Sequence, residues 1–207
     1  MRLTATLLSL VIGAAPIYAQ VGKNQNVVDP NLADRATLRS LPHVADALAD
    51  AIIAARPFTS AAALDAVVAK TLGQAERTEL YARLFRQINL NAASREEIML
   101  IPGMTSRMAH EFEEYRPYTQ LEQFRREIGK YVDSTEVARL EQYVFVPLDL
   151  NSASAEALMT IPGMTSRMVH EFEEYRPYTS MEQFRREIGK YVDDKEVARL
   201  ESYVTLE

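Results

Sequence analysis

The chain has 207 residues, with no cysteine, no tryptophan and only three histidines. Without cysteine there is no disulfide, no thiol nucleophile and no thiolate metal site, so the fold must rest on core packing alone. Positive charge is also scarce. There are 23 Lys and Arg against 29 Asp and Glu, a net charge of −6, or −7 if Arg2 is removed by processing. That excess of acid disfavours a non-specific nucleic-acid binder, which needs a positive field to displace counterions from phosphates. A local basic patch remains compatible with it. Long apolar runs are missing beyond the N-terminus, and no later segment is apolar enough to cross a bilayer. There is no nucleophile elbow, no phosphate-binding loop of the nucleotide-hydrolase kind and no dinucleotide fingerprint. The sequence therefore implies no enzyme and no cofactor.

What is present begins with an export signal. Arg2 precedes a predominantly apolar, uncharged stretch over residues 3–17, and Ala19 precedes Gln20. A short basic start, a short apolar run and a small residue before the cleavage point predict a signal peptide over residues 1–19. An uncleaved membrane anchor is the alternative. The mature chain is then periplasmic, or peripheral on the outer side of the cytoplasmic membrane. Residues 20–30 are mostly polar and predict a flexible leader.

The rest of the chain repeats with a period of 60. Residues 101–144 differ from residues 161–204 at six of 44 positions. A more divergent copy precedes them: Asn31 aligns with Asn91, Leu41-Pro42 with Ile101-Pro102, and Arg56-Pro57-Phe58-Thr59 with Arg116-Pro117-Tyr118-Thr119. No gap is needed, so the three copies are expected to share one backbone. The predicted organisation is all-α: unit 1 at residues 31–90, unit 2 at 91–150 and unit 3 at 151–207, each of four short helices. In unit 2, Ser94 with Glu97 forms a capping box, and Ile101-Pro102-Gly103 ends the first helix. Thr105 or Ser106 caps the second helix, whose apolar face is Met108, Phe112 and Tyr115. Thr119 with Glu122 is read as a second box, and Asp133 with Glu136 as the cap of the fourth helix. The short joints at residues 87–90 and 147–150 suggest a semi-rigid rod or arc.

Four features are candidate sites. The hairpin Gly103, Thr105, Ser106 and Arg107, repeated as Gly163, Thr165, Ser166 and Arg167, offers amides, hydroxyls and one arginine to an anion or partner. A capped turn with an exposed arginine is the plainer reading. Arg125, Arg126 and Lys130, repeated as Arg185, Arg186 and Lys190, form a basic patch for phosphate, acidic protein or anionic lipid. Pairing with Glu122 and Glu127, or with the next unit, is the plainer reading. Glu111, Glu113 and Glu114, with Glu171, Glu173 and Glu174, make an acidic face suited to a basic partner or simply to water. His110 with Glu113 or Glu114 supplies two metal ligands, too few for a firm site. Tyr115, Tyr118, Tyr131 and Tyr143 read as packing residues. Charge also separates the copies. Unit 1 has a net charge of +1, whereas units 2 and 3 each carry −4. Unit 1 is thus expected to dock on a different partner.

The residues opening units 2 and 3, Asn91-Ala92-Ala93-Ser94 and Asn151-Ser152-Ala153-Ser154, are each followed one helix later by Pro102-Gly103 or Pro162-Gly163. This pairing resembles the ComEA-like helix-hairpin-helix family of DNA-uptake receptors and implies tandem four-helix helix-hairpin-helix units. In DNA-binding members a second glycine follows two residues after the first. Here Thr105 and Thr165 stand there, with His43 and Ala45 at the two positions of unit 1. The later Gly-x-Gly of the family corresponds to Gly129-Lys130-Tyr131, Gly189-Lys190-Tyr191 and Ala69-Lys70-Thr71. The Asp149-Leu150-Asn151 opening and a Pro-Gly hairpin lacking its second glycine are similar in type to the extrinsic photosystem II protein U, a protein-binding subunit. The resemblance implies an exported, non-enzymatic scaffold or extrinsic subunit that binds protein. The second relative suggests a membrane-bound electron-transfer or photosynthetic complex. The alternative is a ComEA-like periplasmic DNA-binding protein.

Overall fold

A computed structural model describes residues 26–206. The expected signal peptide and residues 20–25 lie outside the described residues. Within them the chain is mostly helical and of the all-α class. The first four helices are α1 (Arg35–Arg39), α2 (Asp46–Ala54), α3 (Ala61–Val68) and α4 (Gln74–Tyr81). After β1 (Ile88–Asn89) come α5 (Arg95–Ile98), α6 (Ser106–Glu114), α7 (Leu121–Ile128) and α8 (Ser134–Glu141). Following β2 (Val144–Phe145) and β3 (Leu148–Asp149) are α9 (Ala155–Leu158), α10 (Ser166–Glu174), α11 (Met181–Ile188), α12 (Asp194–Glu201) and β4 (Val204–Thr205). No described helix is long and apolar enough to cross a membrane.

Local chemistry sets the helix ends. Ser94 accepts from the Glu97 amide while the Glu97 carboxylate returns to Ser94, closing the box that starts α5. Thr105, rather than Ser106, caps α6, accepting from the Met108 amide at 3.2 Å. Asp133 caps α8 by accepting from the Glu136 amide at 2.9 Å. The expected box of Thr119 with Glu122 does not form. Gln120 takes the N-cap position of α7, and Thr119 donates instead to Gln123 Oε1, from its amide at 3.0 Å and its hydroxyl at 3.3 Å. The long Gln123 side chain reaches back over the turn and also donates to the Tyr115 carbonyl at 3.2 Å.

One clamp recurs at the offset of 60. The Asn91 side-chain amide donates to the Tyr118 carbonyl at 2.8 Å, and its carbonyl accepts from the Tyr118 amide at 2.7 Å. Asn31 does the same with Phe58 and Asn151 with Tyr178. Beside it, the Arg116 guanidinium donates to the carbonyls of Leu90 (2.5 Å) and Ala93 (2.7 Å). Arg56 and Arg176 make the equivalent pairs, and the Arg–Pro bond after each arginine is cis. An asparagine satisfies both backbone groups of one residue at once, and a forked guanidinium serves two carbonyls. This explains why asparagine and Arg-Pro survive even in the divergent first copy.

Short parallel pairings, which no alternating run in the sequence announces, tie the beginning of each copy to its end. Ile88 and Asn89 pair with Val144 and Phe145, Leu148 and Asp149 with Val204 and Thr205, and Val28 with Leu84. The described part of the expected flexible leader is therefore corrected. Val27, Asp29 and Pro30 are buried, and the Val28 amide donates to the Arg83 carbonyl at 2.7 Å. Val28 stands 60 residues before Ile88 and does the same work, so the first copy begins upstream of Asn31.

The expected rod or arc is also corrected, because the first and third copies touch. The Tyr203 hydroxyl donates to Asp29 at 3.3 Å, and Arg86 donates to the Ser202 hydroxyl at 2.7 Å. One apolar core joins buried residues from Val27 to Val146, and a second runs from Phe145 to Tyr203. Between the first and second copies, Phe85 stacks edge-on against Tyr143 at 5.1 Å, and the Ala62 amide donates to Glu97 at 3.2 Å.

Removing the asparagine clamp tests its weight. Asn91→Ala strands an amide and a carbonyl and is expected to lower stability by about 2 kcal/mol in urea unfolding. An unchanged midpoint would show that the clamp is incidental.

Candidate functional site

The hairpin between α5 and α6 is built on one left-handed residue. Gly103 has φ +76°, which glycine adopts without penalty, and the Met104 amide closes the turn on the Ile101 carbonyl at 3.0 Å. The first copy holds the same conformation with His43 at φ +63°, its imidazole 2.7 Å from Glu79. Thr105 stands two residues after Gly103, and its hydroxyl is engaged in capping the helix.

An arginine the sequence did not single out buttresses this loop. Arg139 donates to the Pro102 carbonyl at 2.8 Å while Glu136 grips its guanidinium at 2.6 and 2.7 Å. Arg199 repeats this on Pro162 at 2.6 Å. The aligned residue in the first copy is Glu79, the partner of His43. The covarying pairs Gly103/Arg139, Gly163/Arg199 and His43/Glu79 are the signal that could have revealed the buttress.

The hairpin arginine and the basic patch meet on a pair of tyrosines. The hydroxyls of Tyr115 and Tyr131 are 2.8 Å apart. Arg107 lies over the Tyr131 ring at 5.9 Å, and the Lys130 ammonium over the Tyr115 ring at 4.9 Å. Arg167, Tyr191, Tyr175 and Lys190 repeat the arrangement. A hydrogen bond with Tyr115, and then one accepted by Glu111, hold the Tyr131 phenol above its ordinary pKa. Tyr118 and Tyr143 are buried.

Most of the basic patch is neutralised within the chain. Arg125 forms a two-point pair with Glu141 at 2.6 and 2.7 Å, and Arg185 does so with Glu201. Arg126 and Lys130 both bind the largely buried Glu127, and Arg186 and Lys190 bind Glu187. Of the two expected partners Glu127 is used, but Arg125 takes Glu141 rather than Glu122. Arg107 and Arg167 form no ion pair with a described residue.

The acidic face of the second helix needs correction. Glu111 and Glu171 are each only 7% exposed and sit on the buried side of α6 and α10 beside Phe112 and Phe172. Glu113 is bound by Arg95 at 2.7 Å, and Glu114 lies 3.4 Å from His110. Glu173 and Glu174 lie 3.8 Å from Arg176 and 3.6 Å from His170. Among the described residues, no three His, Asp or Glu side chains converge as a metal site.

The two near-identical hairpins differ in what covers them. A Cβ on Gly163 would meet Leu32 at 3.0 Å, and Arg199 behind it is 3% exposed. Arg139, behind Gly103, is 33% exposed. The first copy thus lies on the third hairpin and leaves the second open.

No family model and no solved structure matches the chain. Among curated proteins, the chain is similar to the Xenopus laevis endonuclease/exonuclease/phosphatase family domain-containing protein 1. The identity is 30% over 121 residues, covering 44% of this chain and 21% of that protein. The chain thus spans about a fifth of the length of that relative.

The Glu127 cluster titrates in a defined direction. Hydrogen bonds from Lys130 and then Arg126 hold the Glu127 carboxyl below its ordinary value of 4.5, as Lys190 and Arg186 do for Glu187. The folded chain then binds fewer protons than the unfolded chain. The stability this provides is complete above about pH 4.5 and is lost as pH falls through the lowered folded values. Lys130→Met should move the Glu127 titration, followed by carboxyl-carbon NMR, upward toward 4.5. No movement would contradict the assigned pairing.

Proposed function

We propose that this chain is an exported, non-enzymatic scaffold or extrinsic subunit that binds protein. In this reading it consists of three tandem four-helix helix-hairpin-helix units of the ComEA-like kind, at about residues 31–90, 91–150 and 151–207. It acts in the periplasm, or peripherally on the outer side of the cytoplasmic membrane, as part of an assembly such as a membrane-bound electron-transfer complex. The single observation that carries this reading is the internal neutralisation of the basic patches by Glu127, Glu141, Glu187 and Glu201. A DNA-binding surface needs that charge free to meet phosphates. Thr105 and Thr165, spent as helix caps, support the same reading. So does the coverage of the third hairpin by Leu32.

The name of the Xenopus relative attaches that protein to a nuclease and phosphatase family. That activity belongs to the relative, of whose length this chain spans about a fifth. Periplasmic DNA binding is the second reading. It is favoured by Arg107 and Arg167, which stand at the helix starts on tyrosine rings without an ionic partner among the described residues.

Titration of the mature protein with double-stranded DNA across salt concentrations separates the two readings, together with recovery of partners from the cell envelope. The scaffold reading predicts weak DNA binding and a defined envelope-protein partner. Tight binding with a steep salt slope, abolished by Arg107→Ala plus Arg167→Ala, would overturn it.

A further inference from the structure

The three copies differ at one position that the functional reading leaves unused. Arg35 and Arg95 stand at the first residue of α1 and α5, and Ala155 holds the same place in α9. Both arginines bridge to the following helix. Arg35 reaches Asp50 at 2.7 Å and Asp46 at 2.9 Å. Arg95 donates to Glu113 at 2.7 Å and to the Ser106 carbonyl at 3.3 Å. In the third copy the arginine is gone, but its receptor remains. A groove of about 330 Å³ lies between α9 and α10, lined by Ala155, Glu156, Met159, Ser166, Val169 and Glu173. Glu173 and Ser166 align with the two groups that hold Arg95.

The groove has the chemistry of an arginine site. Met159, 45% exposed, and Val169 supply apolar surface for a three-carbon stem. Glu156 and Glu173 supply charge for the guanidinium. Arg176 comes within 3.8 Å of Glu173 through Nη1, while its Nε and Nη2 donate to the Leu150 and Ala153 carbonyls. His170, also on the wall, lies 3.6 Å from Glu174.

We propose that this groove docks an arginine side chain of a partner protein, with the guanidinium on Glu173 and the Ser166 carbonyl. The chain itself supplies the precedent, since Arg95 fills the equivalent place in the second copy. The inference deepens the protein-binding reading and rests on it, naming the side chain one face would receive.

The test is an NMR titration of the isotope-labelled mature chain with N-acetyl-arginine methylamide, with the neutral citrulline analogue as control. Saturable shifts confined to the amides of α9 and α10 are expected for arginine and none for citrulline. Glu173→Gln should weaken binding by about tenfold or more, as expected for loss of a charge-assisted bond. Ala155→Arg should abolish it by filling the groove from within, with the remaining spectrum unchanged. Absence of saturation, equal response to citrulline, or full binding to both variants would overturn the proposal. Failure here with an envelope partner still captured would remove the arginine site alone. Saturation here with tight, salt-dependent DNA binding would instead overturn the scaffold reading.

Discussion

The fold turns on one buried cation. Arg86 is fully buried, yet it forms no ion pair with a described residue. Removing a guanidinium from water costs several kcal/mol unless its donors are satisfied. Here Nε donates to the Phe58 carbonyl at 3.0 Å, Nη1 to the Gln87 carbonyl at 2.8 Å and Nη2 to the Ser202 hydroxyl at 2.7 Å. The planar group also lies 4.1 Å from the centre of the Tyr203 ring and 5.4 Å from that of Phe145. Desolvated cation–π contacts of this kind are worth about 2 kcal/mol. Phe58 belongs to the first copy, Phe145 to the second, and Ser202 and Tyr203 to the third. A single side chain therefore touches all three, and the Tyr203 hydroxyl carries the network on to Asp29.

The difference between the two nearly identical copies follows from this junction. Positions aligned with Arg86 are Val146 and Leu206, so only the first of the three copies carries this arginine. Closure lays Leu32 on the third hairpin and buries Arg199, while Arg139 and the second hairpin remain accessible. Repetition alone would have presented equivalent surfaces in both copies. Packing of the first copy makes them inequivalent, and the exchange of Arg95 for Ala155 leaves a groove between α9 and α10 in the third copy. The proposed scaffold thus offers distinct faces from almost one sequence.

Features governed by neighbours in the chain are legible in the sequence itself. Ser94 with Glu97, Thr105 and Asp133 act within three residues of themselves, and the Pro-Gly bend stops a helix by local sterics. Capping by Thr119 was misread because a competing acceptor, Gln123, sits one residue beyond Glu122. The parallel pairings are only two residues long, too short for alternation to register. Glu111 was misplaced because it is flanked by true surface acids, although it adjoins Phe112 on the apolar side. Arg86 and Leu32 give no sign of a junction in the sequence because their partners in the third copy lie more than 100 residues away. Of the candidate site, the hairpin and its basic neighbours were readable in sequence. Their meeting on the Tyr115–Tyr131 pair and their neutralisation by Glu141 depend on tertiary packing.

The central claim is that Arg86 holds the first and third copies against one another. Because the chain has no native cysteine, spin labels can be placed cleanly at two exposed positions, Ala47→Cys and Lys195→Cys. Pulsed dipolar spectroscopy of this pair should give one narrow distance distribution, which broadens and lengthens when Arg86→Ala is added. A distribution already broad with Arg86 in place, or one left unchanged by its removal, would contradict the account.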